Sequence, residues 1–169
     1  MSQKRSKKRL KAARLRAVIK YFTSRGEWRW RLGRQKAKAG TIAGHRRRDG
    51  RLIICVDGTS YYASRLAWLY MKGDWPSREI DHRDLDKTNE RWRNLRHATH
   101  AQNQSNSRAR RHNRSGLKGV SAVASGRFQA KIQVAGKTKH LGYFKTAARA
   151  HAVYRKAAVM RHGKFARTA

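Results

Sequence analysis

The chain has 169 residues, with 43 Lys or Arg against nine Asp or Glu, a formal net charge of +34 and a pI near 11.8. That excess is far beyond what solubility requires, so it is an argument about partners, and nucleic acid is the polyanion it fits. No apolar run approaches the roughly 20 residues that span a bilayer, the basic N-terminus lacks the apolar stretch of a signal peptide, and a single cysteine, Cys55, excludes an internal disulfide or a cysteine-rich zinc site. A soluble cytoplasmic protein is expected.

Residues 1–14 form a Lys/Arg/Ser/Gln run with almost nothing to bury, and are expected to be a disordered basic arm. Residues 15–22 read as a short amphipathic helix, and Trp28 and Trp30, two apart, as one face of a strand. The apolar run 52–56, the turn Asp57-Gly58 and residues 60–62 read as a hairpin, because Asp-Gly suits the positive-φ positions of a two-residue loop. Cys55 is expected to be buried in that strand. Residues 63–71 follow as a helix that Gly73 and Pro76 stop. After a Ser/Asn/Arg-rich linker at 107–114, residues 115–166 form a second module. There, 116–124 and 127–134 are strand-like, Ala135-Gly136 turns into a third strand from Lys137, and Thr146 caps a helix running to about His162 with Gly163 as its stop. Phe128, Ala130, Ile132 and Val134 alternate with Arg127, Gln129, Lys131 and Gln133, so one sheet face is core and the other is polar. Ala147, Ala150, Tyr154, Ala157 and Ala158 recur at helical spacing, and their small size lets the helix lie close on the sheet. The fold class is α+β.

Charge is unevenly spread. Residues 1–50 carry 18 basic residues and two acids, residues 91–169 carry 19 and none, but residues 51–90 hold six basic and seven acidic residues. The acids gather around Asp81-His82, where a divalent cation could use them. Asp81, His82, Asn94 and Asn103 bring one carboxylate, one imidazole and two amides into a short span of a cationic chain, a mixture that points to hydrolysis of a polyanion. His97 and His100 are rivals for base or ligand, and a spacing of three would bring them together on a helix, with a structural or DNA-facing role the better reading. Asp84, Asp86 and Glu90 could touch a metal but read better as a solvated loop.

The ordered set Leu66-Ala67-Trp68, Gly73, Trp75-Pro76, Ile80-Asp81-His82, Asn94-Leu95-Arg96, Ala98-Thr99, Gln102-Asn103 and Asn106 resembles the HNH homing endonucleases, enzymes typically encoded by bacteriophages or mobile introns. The resemblance covers about residues 21–106, within a nuclease domain expected over residues 15–106, and implies a ββα-metal core. It implies Asp81 and Asn103 as ligands of one Mg²⁺ or Mn²⁺, His82 as general base, and Asn94 as the residue that holds the hairpin and orients the histidine. The chemistry asks for these residue types. A phosphodiester repels nucleophiles and has a poor leaving group, imidazole accepts a proton near neutral pH, and hard oxygen donors suit magnesium or manganese. The family commonly has His where this chain has Ser64.

Gly116-Leu117-Lys118-Gly119-Val120, Gly126 to Ile132, Leu141-Gly142-Tyr143-Phe144 and the Ala-rich helix ending at His162-Gly163-Lys164-Phe165-Ala166 are similar to ethylene-response-factor-type domains, which set a three-stranded sheet in the DNA major groove. The similarity implies Lys118, Ser121, Lys131, Gln133, Thr138 and His140 as DNA contacts. The expectation is therefore a monomeric, magnesium-dependent endonuclease acting on double-stranded DNA, without a membrane partner. The alternatives are a DNA-binding regulator that does not cleave and a basic RNA-binding protein.

Overall fold

Two tryptophans set two residues apart bury on one side of a strand and fix where the first core lies. The computed structural model describes residues 9–33, 37–109 and 112–167, and the chain divides into two compact units, Met1–His97 and Ala98–Ala169. Residues 1–8 of the expected arm, and residues 110 and 111 of the expected linker, lie outside the described residues.

In the first unit, helix α1 (Ala12–Val18) gives way to strand β1 (Ile19–Phe22), which pairs antiparallel with β2 (Glu27–Trp30). The helix expected over residues 15–22 therefore ends four residues early. Ile19 and Tyr21 alternate with exposed or half-buried neighbours, and their β-branched and aromatic side chains suit a pleated face better than a helical turn. Trp28 is fully buried, stacked on Tyr21 at 4.3 Å between ring centroids. Such a ring brings about 2–3 kcal/mol from burial alone. Order also begins earlier in the chain than residue 15, since Leu10 is buried and its carbonyl accepts the Trp75 indole N–H at 2.8 Å.

A three-stranded antiparallel sheet, ordered β3 (His45–Arg46), β4 (Leu52–Val56), β5 (Thr59–Tyr62), carries the hairpin read from Asp-Gly. Asp57 and Gly58 take φ of 48° and 75°, the two positive values such a turn needs. Cys55 corrects its expectation. It is exposed, on the opposite face from Ile54 and Val56 and paired with exposed Ser60 near the turn, whereas Ile53 on the same face is buried. Helix α2 (Ala63–Lys72) buries Leu66, Ala67 and Leu69 in the same core and stops at Gly73, whose left-handed conformation returns its N–H to the Leu69 carbonyl. Strands β6 (Glu79–His82) and β7 (Leu95–Ala98) pair in a separate two-stranded sheet, with a 3₁₀ turn at Trp92–Asn94 between them.

The second unit contains α3 (His100–Ser105), opened by a capping box between Thr99 and Gln102. An antiparallel sheet follows, ordered β10 (Lys137–Phe144), β9 (Phe128–Val134), β8 (Val120–Ala122). Helix α4 (Ala147–His162), capped by the Thr146 hydroxyl, packs on one face of the sheet through Ala150, Tyr154 and Ala158. The architecture is mixed α and β, with small antiparallel sheets and four α-helices among the described residues.

Gly119 has φ of 76°, and a Cβ there would fall inside the Tyr154 ring, whereas Gly58 has a similar φ and open space. Gly58→Ala is expected to cost about 1 kcal/mol from conformation alone, and Gly119→Ala about 3 kcal/mol or more, because steric conflict adds to the same strain. Urea unfolding of the two variants measures the difference; equal costs would remove the close approach as a determinant of the fold.

Candidate active site

Strand β6 ends on Asp81 and His82, and both side chains are withdrawn from solvent, with relative exposures of 3% and 8%. Burying a carboxylate costs several kcal/mol unless it is paired, and Arg96 on β7 supplies the pairing. Its Nε donates to Asp81 Oδ2 at 2.8 Å, and Arg96 is itself buried. A charged donor and acceptor at this distance form a strong, orienting contact.

His82 points Nε2 toward Glu90, whose Oε2 lies 3.6 Å away. Glu90 is only 2% exposed, which corrects the reading that put it with the solvated loop. Its backbone explains the burial. The Tyr21 hydroxyl donates to the Glu90 carbonyl, Trp92 N–H donates to the Thr23 carbonyl, and Gly26 lies so close that a Cβ there would meet Glu90 C and Arg91 N at 2.6 Å. The β1–β2 hairpin thus presses Glu90 inward, and only a residue without a side chain permits the approach. Desolvation, then the nearby Glu90 charge, push the Tyr21 hydroxyl pKa well up.

Asp84 and Asp86 are exposed and engaged within their own loop. Asp84 Oδ1 accepts from Asp86 N–H, and Asp86 Oδ1 accepts from the Thr88 N–H and hydroxyl; the Thr88 bonds hold the Asp86 carboxyl below its usual range. Asn94 ties the loop's ends together. Its Nδ2 donates to Asp84 Oδ1 at 2.9 Å and to the Asn89 carbonyl at 2.8 Å, its Oδ1 accepts from Asp84 N–H, and its carbonyl accepts from Arg83 N–H. Ser64 is buried in the first turn of α2.

His97 and His100 do not share a helix as their spacing suggested: His97 is on β7, stacked on Trp68 at 3.6 Å, and His100 opens α3. Asn103 is also on α3, in the second unit, half-buried. No three His, Cys, Asp or Glu side chains gather into a metal-holding group among the described residues. Sequence reasoning named Arg96 only within a motif and Glu90 only as a loop acid, and missed that they face Asp81 and His82. The β6–β7 pairing would have brought Arg96 into view, whereas no local signal marks Glu90, since its burial comes from a hairpin some 70 positions earlier.

In the second unit, Ser121 lies opposite Gln129, Lys131 opposite His140, and Gln133 opposite Thr138, so these expected DNA contacts share the sheet face away from α4. Tyr143 joins that face, half-exposed, 4.6 Å from the His140 ring and opposite Gln129. Lys118 stands apart. It precedes β8, and its ammonium donates to the carbonyls of Ser105 at 2.5 Å, Ser107 at 2.6 Å and Gln104 at 3.4 Å, capping the C-terminal end of α3. Burial, then Arg167, push its pKa down to about 8.

Burial, then Arg78 and Arg65, hold the His97 imidazole below its ordinary pKa. A histidine whose folded value is depressed contributes stability that is complete above the unfolded pKa of about 6.5 and is lost as pH falls through the folded value. Urea unfolding should therefore weaken on acidification from pH 8 to pH 5. His97→Phe, which keeps a ring against Trp68, should reduce that dependence; an unchanged slope would show that His97 does not titrate with folding.

The HNH endonuclease family model matches residues 61–105, a segment that runs from β5 through α2, β6 and β7 to α3 and contains Asp81, His82, Asn94 and Asn103. Neither a curated protein nor a solved structure matches the chain. No helix among the described residues is long and apolar enough to cross a membrane. Over those residues the chain is similar to an HNH endonuclease domain.

Proposed function

We propose that the chain is a metal-dependent DNA endonuclease of the homing type, in which His82 is the general base and the sheet of the second unit holds double-stranded DNA. The observation that carries this reading is the buried imidazole of His82, backed by Glu90 and next in sequence to an arginine-held carboxylate, inside the segment that matches the HNH model.

The donor chemistry fits a hard divalent cation. Asp81 offers carboxylate oxygen held in orientation by Arg96, and Asn103 offers an amide oxygen; both donor types suit magnesium or manganese, with water and a DNA phosphate completing the shell. When bound, the cation supplies positive charge to the scissile phosphate and the departing oxygen. His82 takes a proton from the attacking water as its oxygen bonds to phosphorus, and the opposite P–O bond breaks. Asn94 keeps the loop after His82 closed onto the start of β7, so the imidazole acts from a fixed frame. A monomer with one such centre cuts one strand at a time.

The sheet's polar face supplies choice of site, through Ser121, Lys131, Gln133, Thr138 and His140, while the cationic excess supplies affinity that is blind to sequence. The absence of any acid from Arg91 onward supports DNA contact by the second unit. A phage- or intron-encoded enzyme working in a bacterial cytoplasm fits this design.

Supercoiled plasmid incubated with the protein and Mg²⁺ should be nicked, and EDTA should stop the reaction. His82→Ala should lower the rate by about 10²- to 10⁴-fold while leaving DNA binding intact; binding without cleavage by the unsubstituted protein would favour a DNA-binding regulator. Asp81→Asn is the better test of the metal ligand than Asp81→Ala. Removing the carboxylate outright strands Arg96 in a buried site, a defect worth about 3–5 kcal/mol that would mimic loss of function. The asparagine variant should need more Mg²⁺ for half-maximal cutting.

Lys131→Ala should reduce the slope of log affinity against log salt by about one unit, the signature of one lost phosphate contact. The cutting rate at saturating protein should be unchanged. An unaltered slope would remove Lys131 from the DNA face.

A further inference from the structure

Glu90 is the most deeply buried acid among the described residues, and the function above places it behind His82 without saying what it does there. Its Oε2 has no hydrogen-bond partner among them and faces the Nε2 edge of His82 at 3.6 Å. A carboxyl group kept dry at such cost is held there by the surrounding structure. Here the surrounding structure is specific: the Tyr21 hydroxyl fixes the Glu90 carbonyl, Asn94 fixes the preceding Asn89 carbonyl, and Gly26 seats the hairpin against the Glu90–Arg91 peptide. Both flanks of Glu90 are thereby tied to the frame that carries His82.

We infer that Glu90 is a positioning residue for His82, its carboxyl group holding the imidazole's orientation and keeping the ring proton on Nε2. An acceptor facing one ring nitrogen selects the tautomer with hydrogen on that nitrogen and leaves the lone pair on the other. For His82 the lone pair then sits on Nδ1, the atom that receives water's proton. Glu90 itself touches neither water nor DNA. The inference rests on His82 being the base, and it assigns the atom of His82 that acts.

The buried carboxyl also explains the β1–β2 hairpin's contact with residues 90–92. That contact stabilises a segment which would otherwise be a polar loop between two short strands, and it sets Glu90 at a fixed distance from β6. A merely structural acid would be replaceable by an apolar side chain of similar size with little effect on the imidazole. A positioning acid would not.

The experiment compares the full chain with its Glu90→Met and Glu90→Gln variants, using supercoiled plasmid with Mg²⁺ and ¹⁵N shifts of the His82 ring at pH 8. Glutamine still presents an oxygen to Nε2, whereas methionine presents none. Wild-type His82 should carry its proton on Nε2. Glu90→Met should lower kcat about 10- to 100-fold with KM for DNA unchanged, and Glu90→Gln should recover most of that loss. The ring measurement on the unsubstituted protein needs no variant to fold. A proton on Nδ1, or a folded Glu90→Met protein with wild-type kcat, overturns the inference. If the unsubstituted protein cuts nothing, the proposed function falls, and the ¹⁵N shifts still decide whether Glu90 sets the tautomer.

Discussion

The ion pair between Asp81 and Arg96 is the constraint on which the candidate site depends. Each partner is almost completely removed from water, and neither could be left there alone, since an uncompensated buried charge would cost several kcal/mol. The pair therefore requires β6 and β7 to meet in a way that brings these two side chains together. A slip of one strand by one residue would turn its member of the pair to the opposite face and part the two charges. The pair's net contribution to stability is small by the same reasoning; its use is to make one alignment of two short strands much better than any other.

Around that alignment the chain spends its few carboxyl groups with economy. Asp84 and Asp86 shape the loop that leaves His82, Asn94 closes it, and Glu90 is pressed inward by an aromatic hairpin whose own order comes from the Tyr21–Trp28 stack. Acids elsewhere are few and sit mostly beside arginines, as with Asp57 and Arg14 or Glu27 and Arg29. A chain at +34 gains from such pairs by easing local repulsion, though exposed pairs contribute only a fraction of a kcal/mol each. In the second unit Lys131, Lys137 and Lys139 stay exposed along the sheet, where phosphate could reach them.

Much of the fold could be read from residue order because local chemistry and final structure agree. Asp57-Gly58 takes the turn its φ angles allow, Gly73 and Gly163 end helices, Thr146 caps α4, and the alternation from Phe128 to Val134 puts Ala130 and Ile132 inside. Reading failed where a distant partner decided the outcome. Residues 19–22 are amphipathic on either period, and the backbone partners offered by β2 made them a strand. Cys55 has apolar sequence neighbours, yet its cross-strand partner is exposed Ser60 beside the turn, and that end of the face is open to solvent. Glu90 looked like its loop neighbours in composition, and its burial depends on Tyr21 and Gly26, far away in the chain. At the site, Asp81, His82 and Asn94 stood out through their order and spacing, but their partners did not, because a salt bridge leaves no trace in local pattern.

Lys118 has a consequence for how such proteins can be recombined. Its amine closes the carbonyl end of α3, the helix that bears Asn103, although Lys118 belongs in sequence to the module that follows. Grafting a foreign reading head immediately after Ser107 would leave the Gln104, Ser105 and Ser107 oxygens facing a void or an unsuited side chain. A workable chimera would keep α3 and Lys118 on the same side of the join, since both belong to the second unit.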